Sequence, residues 1–324
     1  MNKIPQVIAR QLLLLIAFSL PSFAWNDLGH LTVAYVAYQQ LKPETRHRVD
    51  ELLKLNPEYA IWLTELPAGI SDEDKRMMVF MIAATWSDRI KDNSQYHMDG
   101  SHNGNRPPND ATASLNIGYT DFAMHKYWHF IDNPFSQDGT LLLATPTPNA
   151  QTQIDAFRAV LALDSPDLLK SYDLAWLLHL VGDVHQPLHC VARFSQAQKK
   201  GDDGGNGVKV CVPQNDVNKT CPEIRLHAFW DDALGISNSP KAAIQTGKSL
   251  LAANTTLVVK VNTAVWIAEG FQLAKTKAYQ PPIGPGKGSF ALTLAYRKAA
   301  GALARKQVAL AGARLANLLN SELK

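Results

Sequence analysis

Between Trp176 and His189 the chain reads WLLHLVGDVHQPLH, which places three imidazoles and a carboxylate within eleven residues. His179 and Asp183 stand four apart, so on a helix they project from one face and can hold a cation between them. Pro187 lacks an amide hydrogen and clashes with the preceding turn. The helix should therefore bend or stop there and carry His189 onto another trajectory, toward a second ion. Spacing alone does not choose between His185 and His189. Leu177, Leu178, Leu180 and Val181 would bury this helix. Burying several ionisable groups together is costly unless they pair or bind metal, which favours a metal cluster over hydrogen-bonded core histidines.

Further ligand candidates lie elsewhere in the chain. LHAFWDD repeats the four-residue spacing with His227 and Asp231. TWSD ends at Asp88, and HKYWHFID supplies His125, His129 and Asp132, again without a choice between the two histidines. WNDLGH places His30 at the opening of an amphipathic helix. Ahead of it, Lys3 and Arg10 precede an apolar run from Leu12 to Leu20 and a Ser22-Phe23-Ala24 ending, the pattern of a secretory signal peptide spanning residues 1–24. Cleavage there would make Trp25 the first residue. A free α-amine, with a pKa of about 8, deprotonates easily and with its own carbonyl forms a five-membered chelate. Signal cleavage would then complete the site.

The elements that must position these groups are mainly helical. Apolar residues recur at three and four spacing over His30 to Leu41, Pro43 to Leu55, Arg76 to Ile90, Tyr119 to Ile131, Asn149 to Leu163 and Leu168 to Val184. Asn149 is a natural N-cap. More helices follow Ile224, Pro240 and Thr256, and the last runs from Ser289 to Leu319. Gly207 to Val212 alternates as a short strand, so the fold class is all-α with at most a short β-hairpin. The stretches 93–116 and 280–288 are long loops suited to rimming a cleft.

Removing residues 1–24 leaves 300 residues with a formal charge of +1, and 46% apolar composition suffices for one large core, expected as a single domain over 25–324. The leader's apolar run is too short to cross a bilayer, and no other stretch reaches about 18 apolar residues. So near-neutral a charge says little about partners. Of three cysteines, Cys211 and Cys221 flank a short polar loop and are the expected disulfide, which leaves Cys190 as a buried thiol or, less simply, a thiolate ligand. Asn218-Lys219-Thr220 and Asn254-Thr255-Thr256 match glycosylation acceptors.

Taken together, Trp25 with Gly29-His30, TWSD, HFID, HLVGDVHQPLH, GDDGGN and HAFWD resemble the S1/P1 nuclease family, which shares its fold with bacterial zinc-dependent phospholipases C. The likeness is specific from residue 25 to 231 and fades into a general helical pattern beyond about residue 235. It implies a mostly helical single domain, here expected to be a monomer, with three Zn2+ ions at the bottom of a cleft. The first would take Asp88, His129, His179 and Asp183. The second would take the Trp25 amine and carbonyl with His30, sharing Asp183, and the third His189, His227 and Asp231. The resemblance thus selects His189 over His185 and His129 over His125. His47, His97, His102, His125 and His185 remain as surface or supporting residues.

The implied chemistry is phosphodiester hydrolysis. A carboxylate-bridged zinc pair can lower the pKa of a shared water toward neutrality and so supply hydroxide, while a third ion stabilises the departing 3′ oxygen. Products would carry 5′ phosphates. Lys91, one turn beyond Asp88, would meet the transition-state charge, since residues at this position are basic in the resembling nucleases. Phe130 and Asp132 resemble the family's nucleobase pocket, one stacking on a base and the other accepting from its amino group, with Gly205 and Asn206 completing it. A pocket beside buried metals requires an unpaired nucleotide, so single-stranded RNA and DNA, and nucleoside 3′-monophosphates, are the expected substrates. The rival readings are a phospholipase C and a zinc- or nucleotide-binding protein without turnover. Asp231, where the phospholipases commonly carry glutamate, and the Phe130–Asp132 pair argue against the first, and the intact ligand set with Lys91 against the second.

Overall fold

The computed structural model describes residues 25–213 and 221–323. The signal peptide expected at 1–24 and the acceptor Asn218-Lys219-Thr220 lie outside the described residues. From Leu174 to Asp183 the chain is apolar on every side apart from His179 and Asp183, and a helix of that kind has to be central. It is: α7 (Asp167–Asp183) is buried all round from Lys170 onward. α6 (Ala150–Ala162), α2 (Pro43–Leu53), α5 (Trp86–Arg89), α1 (Asp27–Gln40) and α12 (Leu294–Glu322) pack around it.

α1 packs against α12, α4 (Asp72–Ala83) and α9 (Pro240–Lys248). The approach to α12 depends on Gly312, where a Cβ would come within 2.6 Å of Val36. α3 (Tyr59–Thr64) sits against α4, α10 (Thr255–Val258) against α12, and α11 (Thr263–Leu273) against α6 and the turn Pro187–Cys190. The short α8 (Leu226–Asp231) completes the twelve α-helices among the described residues. Side-chain caps fix several starts. Asn149 accepts from Gln151 and Thr152 while Thr152 answers to the Asn149 amide, a full capping box, and Asn26 and Ser71 cap α1 and α4.

The β content is two small sheets. β1 (Pro134–Ser136) pairs in parallel with β2 (Ala192–Phe194), with Phe135 opposite Arg193. β3 (Lys209–Cys211) lies between β4 (Glu223–Arg225), antiparallel, and β5 (Ser289–Ala291), parallel. Cys211 and Cys221 form the expected disulfide across the β3–β4 connection, with Cα atoms 5.5 Å apart. The last helix accordingly starts at Leu294, because Ser289–Ala291 pairs with β3 instead of opening the helix.

Two helix expectations need correction. Residues 119–131 carry core aromatics at helical spacing, yet they form only single 3₁₀ turns at Gly118–Thr120 and Lys126–Trp128. Local side-chain bonds compete with the helix here. The Asp121 carboxylate accepts from the Ala123 amide at 2.9 Å, and His125, at φ 44°, donates its backbone N–H to Asp99 at 2.8 Å. The helix expected over 76–90 begins earlier, at Asp72, and breaks after Ala83. The ring of His179 takes the Ala84 carbonyl at 2.7 Å, and the Asp88 amide turns instead to the Thr85 carbonyl at 3.2 Å. That break aims Asp88 at the ring that causes it.

Candidate metal centre

The structure brings the ligand candidates to one end of α7. His179 and Asp183 project from one face of the helix, His179 Nε2 lying 3.3 Å from Asp183 Oδ2 and 3.6 Å from Asp88 Oδ1. His129, delivered by the turn after Trp128, approaches with Nδ1 3.1 Å from Asp183 Oδ2 and 3.8 Å from Asp88 Oδ1. His30 of α1 meets the other oxygen, with Nε2 3.3 Å from Asp183 Oδ1, and its ring stacks on that of His179 at 3.7 Å. Asp183 thus stands between His30 and His129, one oxygen to each. The first two expected groups interpenetrate, since ligand atoms of His30, Asp88 and His179 also lie within 4.8 Å of one another.

His189, His227 and Asp231 form a separate group by the same measure. Gln186 shapes it, accepting from the Leu188 amide at 2.6 Å to start the 3₁₀ turn that aims His189, while its own amide donates to Asp231 at 2.7 Å. His189 Nε2 and His227 Nε2 face each other at 3.0 Å.

The hydrogen bonds identify what these rings are prepared to bind. Nδ1 of His179, His189 and His227 donates to the carbonyls of Ala84, His129 and Gly204, at 2.7, 2.8 and 2.7 Å. Each Nε2 is left as a lone pair aimed inward. Nε2 of His30 and His179 and Asp183 Oδ1 are buried without a hydrogen-bond partner. Converging buried acceptors without donors suit a cation, and imidazole with carboxylate is a donor set that fits zinc.

Electrostatics divide the cluster, and burial raises Asp231 well above the usual carboxylate range. Burial holds the His30 ring down to about 4, and burial reinforced by Lys91 holds His129 down to about 3. Burial and the facing His189 bring His227 to about 3, so these rings are neutral. His179 differs, because burial is outweighed by Asp183 and Asp88, which raise it, and its charge with the contacts of His129 and His30 in turn carries the Asp183 carboxyl well below the usual range.

Trp25 is fully buried and its indole donates to the Gly182 carbonyl at 3.0 Å, beside Asp183. Gly29 permits this, since a Cβ there would stand 2.4 Å from Trp25 Cβ. The Asn26 side chain donates to Asp232 at 2.7 Å, pinning this segment between α7 and α8.

The group opens on a cleft of about 660 Å³ lined by Lys91, His129, Phe130, Asp132, His189, Asn206 and His227 among others. Lys91 is largely buried and its ammonium lies 2.5 Å from Asp88 Oδ1, so it joins the carboxylate instead of standing in solvent. Gly205 does not line the cleft. It is buried, while Gly204, Asn206 and Gly207 form that wall. Lys126 and Arg225, not singled out in the sequence, add cationic walls, and Arg106 ion-pairs with Asp132. A signal for Lys126 was its place three residues before His129, and for Arg225 two before His227. Arg106 lies in a loop with no local signal.

The remaining candidates are engaged elsewhere. His185 donates from Nδ1 to Val181 at 2.7 Å and accepts at Nε2 from Arg314 at 3.0 Å, so neither nitrogen is free for an ion. His125 lies between Asp99 and Asp121, at 2.8 and 2.7 Å. The Cys190 thiol donates to the Val184 carbonyl at 3.2 Å, and burial pushes it well above the ordinary thiol range, which makes it a core residue and no thiolate.

A helical domain thus carries clustered His and Asp groups, candidates to hold metal ions, at the floor of a cleft with Lys91, Lys126 and Arg225 in its walls. The family description S1/P1 Nuclease matches residues 25–324, and the chain belongs to this family. It is similar to Nuclease S1 of Aspergillus oryzae (strain ATCC 42149 / RIB 40), with 25% identity over 241 residues. That match covers 72% of this chain and spans 60% of the relative's length.

Proposed function

We propose that this chain is an exported zinc-dependent phosphodiesterase that hydrolyses single-stranded RNA and DNA to 5′-phosphate products and removes 3′-phosphates from nucleotides. The observation that carries the reading is the convergence of donorless ring nitrogens and carboxylates at the floor of a cleft edged with cations. Asp88, His129, His179 and Asp183 would hold one Zn2+, His30 with Asp183 and the Trp25 amine and carbonyl a second, and His189, His227 and Asp231 a third. Zinc held there supplies Lewis acidity, lowering the pKa of water toward neutrality and neutralising phosphate charge.

The chain's own residues do the rest. Lys91, tied to Asp88 and lining the cleft, places positive charge where a phosphate must lie. Phe130 offers an aromatic face to a base and Asp132 an acceptor to its amino group, with Asn206 at the wall. A base would have to be unstacked to reach such a cleft, so single strands should be preferred. Among the described residues no helix is long and apolar enough to cross a membrane, and export would follow cleavage after Ala24, leaving one domain over 25–324 that acts as a monomer.

The test is zinc content by mass spectrometry on protein beginning at Trp25, together with release of acid-soluble nucleotides from single-stranded RNA and DNA. About three zinc ions with nucleotide release support the proposal. Hydrolysis of phosphatidylcholine alone would make the chain a phospholipase, and zinc without either activity a binding protein.

A further inference from the structure

Asp132 has a partner that the cleft residues alone do not reveal. Arg106, from the loop 93–116, ion-pairs through Nη1 with Asp132 Oδ2, and its Nη2 lies 3.4 Å from Asp203 Oδ1 on the wall formed by GDDGGN. The guanidinium therefore clasps two walls of the pocket together. Its placement is built into the backbone. Ser101 and Arg106 exchange backbone hydrogen bonds of 3.0 and 3.1 Å, closing a tight loop in which His102, Asn103 and Gly104 all have positive φ. Gly100 is required there, because a Cβ would come within 2.1 Å of the Arg106 carbonyl. The base of the loop is tied down where Asp99 accepts from His125. Asp203 itself sits at φ 50°, which a side chain tolerates only where its surroundings hold it.

We propose that Arg106 determines base specificity: by clasping Asp132 and Asp203 it holds Asp132 as a hydrogen-bond acceptor and favours bases that present an amino group. This rests on the nucleotide-binding role proposed for the cleft. An ionised carboxylate only accepts, so it bonds the amino groups of adenine, cytosine and guanine and repels the O4 of uracil or thymine in the same place. Asp132 is almost fully buried beside Asp202 and Asp203, and burial pushes its carboxyl up to about 6 even with Arg106 opposing. Without the guanidinium it would take up a proton and offer an O–H as well, which uracil O4 could accept.

The experiment compares binding of adenosine and uridine 5′-monophosphates to zinc-loaded wild type, Arg106→Gln and Arg106→Lys by calorimetry, with turnover of the 3′-monophosphates followed in parallel. In Arg106→Gln the adenine-over-uracil affinity ratio is expected to fall by about tenfold, the scale of one hydrogen bond to a charged group. Arg106→Lys, which keeps a cation beside Asp132, should retain most of the ratio. An unchanged ratio in Arg106→Gln, or an equal loss in both variants, overturns the assignment. Selective binding without turnover would sink the catalytic reading while leaving the role of Arg106 in place, and binding of neither nucleotide overturns both.

Discussion

His189 and His227 point their Nε2 atoms at each other across 3.0 Å, each ring locked by a backbone carbonyl on its far side. Two lone pairs at that distance repel unless something positive lies between them. Metal removal should therefore destabilise the fold as well as stop turnover. Chelation is expected to lower the melting temperature by several degrees, with recovery on adding zinc, since an ion bound only by the folded state stabilises it by mass action. Differential scanning fluorimetry with and without chelator checks this. No shift in melting temperature would mean that the group does not hold an ion.

Asp183 serves two sides of the cluster at once, Oδ1 toward His30 and Oδ2 toward His129 and His179. Asp183→Asn keeps the shape but replaces a charged oxygen with an amide that donates. Nuclease activity should fall by more than about 100-fold, because altering even the residues around a ligand costs about 10–100-fold in affinity or activity. Bound zinc should fall with it. Full activity in this variant would remove Asp183 from the centre.

Arg314 is fully buried on α12, 3.0 Å from His185 Nε2 and 2.8 Å from Glu269, and also donates to the Leu257 carbonyl at 3.0 Å. It braces the turn between Asp183 and His189. Arg314→Met leaves the His185 nitrogen, the Glu269 carboxylate and the Leu257 carbonyl without that donor, and should cost about 2–4 kcal/mol of stability. Urea denaturation measures it, and a change within about 0.5 kcal/mol, the size of an ordinary surface substitution, would show the network to be dispensable.

His125 gives a pH dependence of known sign. Burial lowers its pKa, but hydrogen bonds and charge from Asp121 and Asp99 outweigh this, and the ring ends above its ordinary value of 6.5. A raised folded-state pKa means that the contribution is fully present below about 6.5 and is lost as pH rises through the folded value. The stability difference between wild type and His125→Gln should accordingly shrink as pH increases above about 6.5. A difference that grows with pH would contradict the charged clamp.

Part of the candidate site was legible in the sequence because two of its pairs ride on local spacing. His179 with Asp183 and His227 with Asp231 each occupy one helical face, and Pro187 does end the helix before His189. Spacing does not choose between His189 and His185, and the partner that engages His185 Nε2, Arg314, stands 129 residues away in sequence. Arg106 was invisible for the same cause: its partners Asp132 and Asp203 stand 26 and 97 residues away, and nothing around it marks the loop as more than a connection. The false helix over 119–131 shows the converse. Tyr119, Tyr127 and Trp128 have helical spacing and do reach one aromatic core, but Asp121 and His125 bend the backbone between them.

The carbonyls of Ala84, His129 and Gly204 come from three separate segments, and each fixes the tautomer and tilt of one ligand ring. The rotational freedom of those rings is lost when the chain folds, not when an ion arrives. Capture then requires little reordering of the protein, and the centre is preorganised in the sense that matters for affinity: its geometry is a property of the folded backbone, set before there is anything to bind.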